Sequence, residues 1–330
     1  MRRGRTLLQL SIGLAVAGLA LWLTYRRVPP GDLLDLLEDA RWGWLLVVLP
    51  PLAASYVFRI LRWMVLLGPV RAVRFRDAAF PLLAGFMVNS ILPARAGEIV
   101  RVLLLSRRTG VPKASALGTV VLDRIFDGLT LTAMTLGCIA GLWSGLGAGV
   151  RLGLVAASAM YVFMLLFAVA LRRWRGGAAR AVARPLARAG LKRPAEKLES
   201  VLLSFSEGLA TIQSGREVLF LALTSAGVWG SLALSIYPVF YALGLPLAWH
   251  YPVIVLVLAA FGMLVPTPAG TGTVHAALAA VLPAVTELTT GQAMVLALLF
   301  HATQFLPVIA AGIAAAVHEG VRPLEVAEAG

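Results

Sequence analysis

"NSILPARAGEIVRVLLLSRR", residues Asn89–Arg108, sets Pro93, Gly97 and the polar side chains Asn89, Arg95, Glu98 and Arg101 between two apolar runs. The run before it, Ala78–Pro93, and the run inside it, Glu98–Leu105, are both short of the roughly 20 residues a spanning helix needs. Basic segments flank them, "PVRAVRFRD" before and "SRRTGVPK" after, so both ends belong on one side of the bilayer. This pattern predicts a re-entrant helical hairpin entering from the cytoplasmic face, with "PARAG" at its tip. Pro93 starts the break and Gly97 lets two backbones approach. Irregular backbone at that depth has to be buried in protein or line a wet cavity.

The rest of the chain agrees with a membrane setting. Hydrophobic residues make up 59% and charged residues 14%, against roughly 25% charged in a soluble domain. Mean hydropathy is +0.86, which points to an all-α polytopic integral membrane protein. The formal net charge of +13 would suggest nucleic acid in a soluble chain. Here the basic residues fall in short loops, as the positive-inside rule expects, where they also attract anionic lipid heads. Nucleic acid is therefore not an expected partner; membrane lipids are. The single cysteine, Cys138, rules out an intramolecular disulfide. His250, His275, His301 and His318 show no zinc-type spacing, so no metal or other cofactor is expected. No Walker loop, GxSxG or HExxH occurs, so neither an ATP motor nor a catalytic site is expected.

Leu7–Tyr25 reads as the first span, a retained signal anchor, with cleavage near Ala15–Ala17 as the alternative. A short interfacial helix in "PPGDLLDLLEDARWG" and a second span, Trp44–Gly68, follow. Arg59 and Arg62 share a face near its end. After the first hairpin come Ala114–Trp143 and Leu152–Leu171. Arg172–Lys197 carries nine Lys/Arg and one acid, Glu196, and reads as a cytoplasmic loop. Beyond a surface helix, Leu198–Ile212, lies the span Leu219–Leu243. Tyr251–Val265 and Val274–Val285 are again short and meet at "PTPAGTG", where Pro266, Pro268, Gly270 and Gly272 form a second tip. Gln292–Val317 is the last span. The expectation is about six full spans plus two re-entrant hairpins of opposite orientation. It forms one domain, residues 1–330, as an inverted repeat with halves at about 1–143 and 150–318. Both termini and the basic loop 172–197 are expected in the cytoplasm. Two interrupted short segments at matching places in two halves point to a transporter-like site near the midplane.

Charged side chains in a spanning helix cost about 2.5–3.5 kcal/mol each on insertion scales. "LDRIFDG" carries Asp123, Arg124 and Asp127. The aspartates are four apart and Arg124 can reach Asp127, so the trio is either a self-neutralising packing cluster or the wall of a wet, anion-binding cavity. Glu98 can pair with Arg95 or with Arg101 but cannot neutralise both. One guanidinium is then left for a phosphate, unless both arginines lie at the surface. Arg107 and Arg108 are expected only to snorkel. The second tip carries no charge, and its broken backbone offers N–H groups or is an ordinary turn. His275 and His301 are packing residues or, if they face each other, a proton carrier.

"NSILPARAGEIVR" at 89–101, "LDRIFD" at 122–127 and "PTPAGTG" at 266–272, with "RILRW" at 59–63, resemble the lysylphosphatidylglycerol synthetase transmembrane-region family, also called the flippase-like domain family. Its members include the membrane half of the lysyl-phosphatidylglycerol synthetases and the membrane part of an archaeal dolichol-linked glycosyltransferase. The resemblance implies lipid translocation, with Asn89, Arg95, Glu98, Arg101, Arg124 and Asp127 at the family's polar positions. This chain departs from the pattern where Ala269 replaces a usual Gly, His275 a Glu and His301 an Arg. No synthetase domain follows, so a stand-alone member without lysine transfer is expected.

The expectation is a protein of the bacterial cytoplasmic (inner) membrane that binds or translocates a lipid with a phosphate-bearing head, of phospholipid or polyprenyl-phosphate type. Arg95, Arg101 and Arg124 would bind the head; Glu98, Asp123, Asp127, His275 and His301 complete the expected site. The alternatives are an integral-membrane lipid-modifying enzyme and a non-catalytic partner of a lipid-biosynthesis enzyme.

Overall fold

The computed structural model describes residues 2–26, 28–92, 95–139, 148–188, 190–209, 214–246, 248–265 and 267–320, and among these every regular element is helical. α1 (Arg2–Tyr25) and the short α2 (Pro30–Glu38) lead into a 3-10 segment, Trp42–Val48, which continues as α3 (Leu49–Leu67). α4 (Phe75–Ile91) and α5 (Ala96–Thr109) form a hairpin, and α6 (Lys113–Ile139) follows. Then come α7 (Ala148–Arg188), α8 (Lys192–Leu209) and α9 (Gly215–Ala242). α10 (Tyr251–Gly262), a 3-10 turn at Pro268–Gly270, α11 (Thr273–Val285) and α12 (Thr290–His318) complete the described chain. Capping boxes open two of the long helices: Ser214 with Glu217 at α9 and Thr289 with Gln292 at α12.

Four described stretches are long and apolar enough to cross a membrane: Trp42–Leu67, Gly215–Ala242, Pro268–Val285 and Thr290–His318. Pro268–Val285 is among them although half of a hairpin was expected there. α6 has 27 residues but carries Asp123, Arg124 and Asp127. Large apolar side chains remain outward, among them Trp22, Leu152, Phe163, Leu223, Leu234 and Leu306. An apolar surface of that extent suits contact with lipid tails better than water.

The basic stretch 172–197 is not an open loop. α7 runs unbroken for 41 residues to Arg188, and α8 resumes at Lys192. Arg and Ala are strong helix formers, so the composition that marks a charged loop also propagates a helix. At 1.5 Å per residue α7 is about 60 Å long, and its basic end reaches past an apolar layer of about 30 Å.

The two tips share a construction. α4 and α5 touch backbone to backbone: a Cβ built on Gly97 would lie 1.9 Å from the Gly85 carbonyl oxygen. The Gly97 N–H donates to Asn89 Oδ1 at 2.8 Å, so Asn89 ties the end of α4 to the start of α5. In the second tip a Cβ on Gly262 would lie 2.6 Å from Val274 Cα. Thr273 Oγ1 donates to the Gly262 carbonyl at 2.7 Å. Arg95 (φ 56) and Ala269 (φ 52) are the two non-glycine residues in the left-handed region among the described residues. Each sits in one tip, where the chain turns too sharply for right-handed backbone. Gly270 and Gly272 also have positive φ, Pro268 opens the 3-10 turn, and Pro93 and Pro266 lie outside the described residues.

Three buried apolar clusters hold these pieces together. One joins α9, α10, α11 and α12 through Ile236, Phe240, Val255, Leu278 and Leu296. Another joins α3, α4, α5 and α6 through Trp63, Leu66, Leu82, Leu105 and Ile125. The third seats the first hairpin on α12 through Met87, Val100 and Ala316. Gly312 makes that contact close, because a Cβ there would lie 2.4 Å from Met87 Cβ.

Candidate functional site

The polar centre is built on four helices. α3 supplies Arg59 and Arg62, three apart on one face; α5 supplies Arg101; α6 supplies Asp123, Arg124 and Asp127; α9 supplies Ser225 and Trp229. Arg62 is fully buried and links the group. It donates through Nε to Asp123 Oδ1 at 2.8 Å, through Nη2 to Asp127 Oδ1 at 2.7 Å and through Nη1 to Ser225 Oγ at 2.9 Å. Arg59 Nη1 donates to Asp127 Oδ2 at 3.1 Å, and Trp229 Nε1 to Asp127 Oδ1 at 3.3 Å. Arg101 Nη1 donates to Asp123 Oδ2 at 2.9 Å. Arg124 bridges both carboxylates, with Asp123 Oδ2 at 3.4 Å and Asp127 Oδ2 at 3.2 Å, and its Nε stands 3.7 Å from Glu98 Oε1.

Four guanidinium groups thus converge on two carboxylates. Glu98 and Arg95, 4.0 Å apart, add one charge of each sign. These eight side chains carry a surplus of positive charge in a largely buried setting. A surplus of that kind is expensive inside a membrane protein unless an anion or water completes it.

Beside the cluster lies a cavity of about 340 Å³. Arg59, Arg95, Glu98 and Arg124 stand on its polar side. Ala269 and Gly270 of the second tip face it, as do Asn89 and Leu92 of the first. Leu256, Phe300 and Phe305 make an apolar wall, interrupted by Gln304. The cavity therefore joins a cationic patch to an apolar surface, at the place where the two tips come together.

The expected site residues fall into three groups. Arg95, Glu98, Arg124 and Asn89 line the cavity, although the amide oxygen of Asn89 is engaged by Gly97. Asp123, Asp127 and Arg101 stand behind it. Arg101 was expected to hold a head group; instead it is 2% exposed, paired with Asp123 and laid over the face of Trp63 at 3.6 Å. The reason is geometric: one turn past Glu98, α5 has already entered the core between α4 and α6. Arg101 Nε and Nη2 are buried without a hydrogen-bond partner among the described residues, and the ring of Trp63 takes part of their place.

His275 and His301 form the third group. Their ring centroids are 4.9 Å apart, yet neither lines the cavity. His275 Nδ1 accepts from the Gly272 N–H at 3.3 Å, and its ring meets Tyr25 of α1 edge-on at 6.0 Å. His301 Nε2 lies 3.3 Å from Thr271 Oγ1, and its ring packs on Phe305 at 4.5 Å. Phe305, on which the His301 ring packs, lines the cavity. Arg108, expected to do no more than snorkel, is paired with Asp77 at 2.7 Å and with Glu319, so it ties both ends of the first hairpin to the end of α12.

Arg59, Arg62, Trp229 and Gln304 were missing from the sequence-based site. Two arginines three apart in an otherwise apolar span are a signal, but near the end of that span they look like surface charges. Their carboxylate partners lie more than 60 positions away in the chain.

Comparison with known proteins adds an independent line. A family model described as the lysylphosphatidylglycerol synthase TM region matches residues 10–312. The chain is similar to the glycosyltransferase AglD of Haloferax volcanii, 29% identical over 144 residues, which are 39% of this chain and 21% of that protein. It is also similar to a UPF0104 membrane protein of Methanocaldococcus jannaschii, 25% identical over 192 residues, covering 58% of this chain and 76% of that one. The match thus spans about a fifth of the length of the haloarchaeal relative.

Proposed function

The chain belongs to the lysylphosphatidylglycerol synthase TM region family, and from that premise we propose that it binds a lipid by a phosphate-bearing head and carries it between the leaflets of the cytoplasmic membrane. The observation that carries this reading is the cavity between the two tips, with its surplus of guanidinium groups beside an apolar wall. Arg59, Arg95 and Arg124 face the cavity and hold the phosphate, because a planar guanidinium offers paired N–H donors to two oxygens. Arg62, Arg101, Asp123 and Asp127 fix those arginines from behind. The apolar wall receives the first carbons of the tails while the rest stays in the bilayer.

In this reading about six helices cross the membrane. α4–α5 and α10–α11 enter from opposite faces as re-entrant hairpins of a single domain with halves at about 1–143 and 150–318. All four hairpin helices are short, at 17, 14, 12 and 13 residues, and their tips share close glycine contacts and a left-handed turn, which supports the pairing. Both termini and the basic segment 172–197 face the cytoplasm. The chain makes and breaks no bond in the lipid.

The test is reconstitution into vesicles holding phosphatidylglycerol with a fluorescent acyl chain. Dithionite quenching reports which leaflet the probe occupies. Wild-type protein should bring inner-leaflet probe to the outer surface, and Arg59→Gln/Arg124→Gln should not. Equal quenching with and without wild-type protein would reject translocation. A second reading, a membrane partner of a lipid-linked biosynthetic enzyme, draws support from the AglD match and would be favoured if the protein bound lipid without moving it.

A further inference from the structure

The charges facing the cavity are unevenly matched. Arg59, Arg95 and Arg124 stand on its wall with one carboxylate, Glu98, which already lies 4.0 Å from Arg95 and 3.7 Å from Arg124. Asp123 and Asp127 do not line the cavity, and each accepts from guanidinium groups on both oxygens. The wall thus sets three guanidinium groups against a single carboxylate, which already faces two of them.

The wall also carries neutral polar side chains, Tyr56, Asn89, Ser90 and Thr267 besides Gln304. Gln304 on α12 is 8% exposed and held by Ser235: its Nε2 donates to Ser235 Oγ at 3.0 Å, and the hydroxyl stands 3.4 Å from Oε1. A primary amide has two N–H donors and two lone pairs on its oxygen. The single hydroxyl hydrogen of Ser235 goes to the Leu232 carbonyl at 2.7 Å, so Ser235 leaves one N–H and the oxygen of the Gln304 amide over. Ser235 lies six positions beyond Trp229 on α9, which is about 9 Å along the helix axis. Trp229 donates to Asp127, so the amide stands about that far along α9 from the arginine cluster. The cavity has a cationic pole and an uncharged hydrogen-bonding pole.

We propose that the cavity selects phosphate-headed lipids whose remaining polar groups are neutral hydroxyls or carbonyls, and turns away heads that carry an amine, with Gln304 as the specificity-determining side chain. This rests on the phosphate-binding reading above. An ammonium brought beside the phosphate meets three guanidinium groups against one carboxylate that two of them share, so it loses its water for little attraction in return. A hydroxyl there can both donate to and accept from the Gln304 amide. A site built to hydrogen-bond such a group rejects lipids that lack it.

The experiment uses the full-length protein in detergent, with intrinsic tryptophan fluorescence as readout because Trp229 lines the cavity. It is titrated with short-chain phosphatidylglycerol, phosphatidic acid, phosphatidylserine and phosphatidylethanolamine. Phosphatidylserine has the net charge of phosphatidylglycerol but bears an ammonium, so it separates the amine from the overall charge. Phosphatidylglycerol should bind about tenfold more tightly than phosphatidylserine and phosphatidylethanolamine, and several-fold more tightly than phosphatidic acid. Gln304→Leu should bring phosphatidylglycerol down to the level of phosphatidic acid. Gln304→Glu should narrow or reverse the gap to the two amine lipids. Gln304→Asn, which keeps the amide but shortens its reach, serves if either variant fails to fold, and it should weaken phosphatidylglycerol alone. If none of the four lipids binds wild-type protein, the phosphate-binding reading itself fails. If phosphatidylglycerol and phosphatidylserine bind wild-type protein alike, the selectivity is overturned while phosphate binding stands.

Discussion

Asp123→Asn strikes the buried network where it is most exposed to calculation. Asp123 accepts from Arg62 at 2.8 Å, Arg101 at 2.9 Å and Arg124 at 3.4 Å. With its charge removed, Arg62 keeps Asp127 and Ser225, and Arg124 keeps Asp127 and Glu98. Arg101 keeps no ion pair among the described residues, and its side chain is 3% exposed. Removing one partner of a buried pair costs about 3–5 kcal/mol, and the Trp63 face 3.6 Å away offsets about 1–2 kcal/mol of that. The expected loss is therefore about 1–4 kcal/mol. Arg101→Met with Asp123→Asn removes the stranded charge and refills the space with an apolar chain, so the double variant should be more stable than Asp123→Asn alone. Thermal unfolding of the four proteins of the cycle in one detergent, followed by tryptophan fluorescence, gives the coupling. Additivity within about 0.5 kcal/mol would mean that Asp123 and Arg101 are independent and that the network is wrongly drawn.

Three more outcomes follow from the hairpins. Gly97→Ala should destabilise by about 1–3 kcal/mol or more, since its Cβ has to displace the Gly85 carbonyl; an unfolding transition unchanged from wild type would show that the helices are not in contact there. Ala269→Gly should raise the unfolding temperature, because a left-handed alanine costs about 1–2 kcal/mol and glycine gives back only about 0.4–1 kcal/mol through the unfolded chain; a lowered temperature would contradict the φ of 52°. His275→Glu and His301→Arg should each lower stability alone and be tolerated together, since the rings are 4.9 Å apart; additive losses in a double-mutant cycle would separate the two residues.

Much of this architecture is legible in the chain because punctuation and charge act locally. "PARAG" marks a break through Pro, Gly and an arginine, which is costly at the middle of a spanning helix, and Gly97 signals a close approach that the Gly85 contact makes concrete. The partners are harder to read. Arg59 and Arg62 look like surface charges because the aspartates that bury them lie on another helix, 61 to 68 positions on. Arg101 looks available to ligand because sequence shows its neighbour Glu98 but not Asp123 behind it. Residues 172–188 read as a loop because positive charge marks topology and says nothing of conformation, whereas arginine and alanine carry α7 straight through. The meeting of His275 and His301 leaves no trace in periodicity; only the loss of opposite charges at both positions hinted at it.

Native mass spectrometry of the protein released gently from its own membrane tests the central claim most directly. Wild-type protein should retain one phosphate-bearing lipid per chain through mild activation. Arg59→Gln/Arg124→Gln, folded and of equal yield, should arrive without it. Wild-type protein that holds no such lipid, or a double variant that holds it as firmly, would contradict the assignment of the cavity as a lipid-phosphate site.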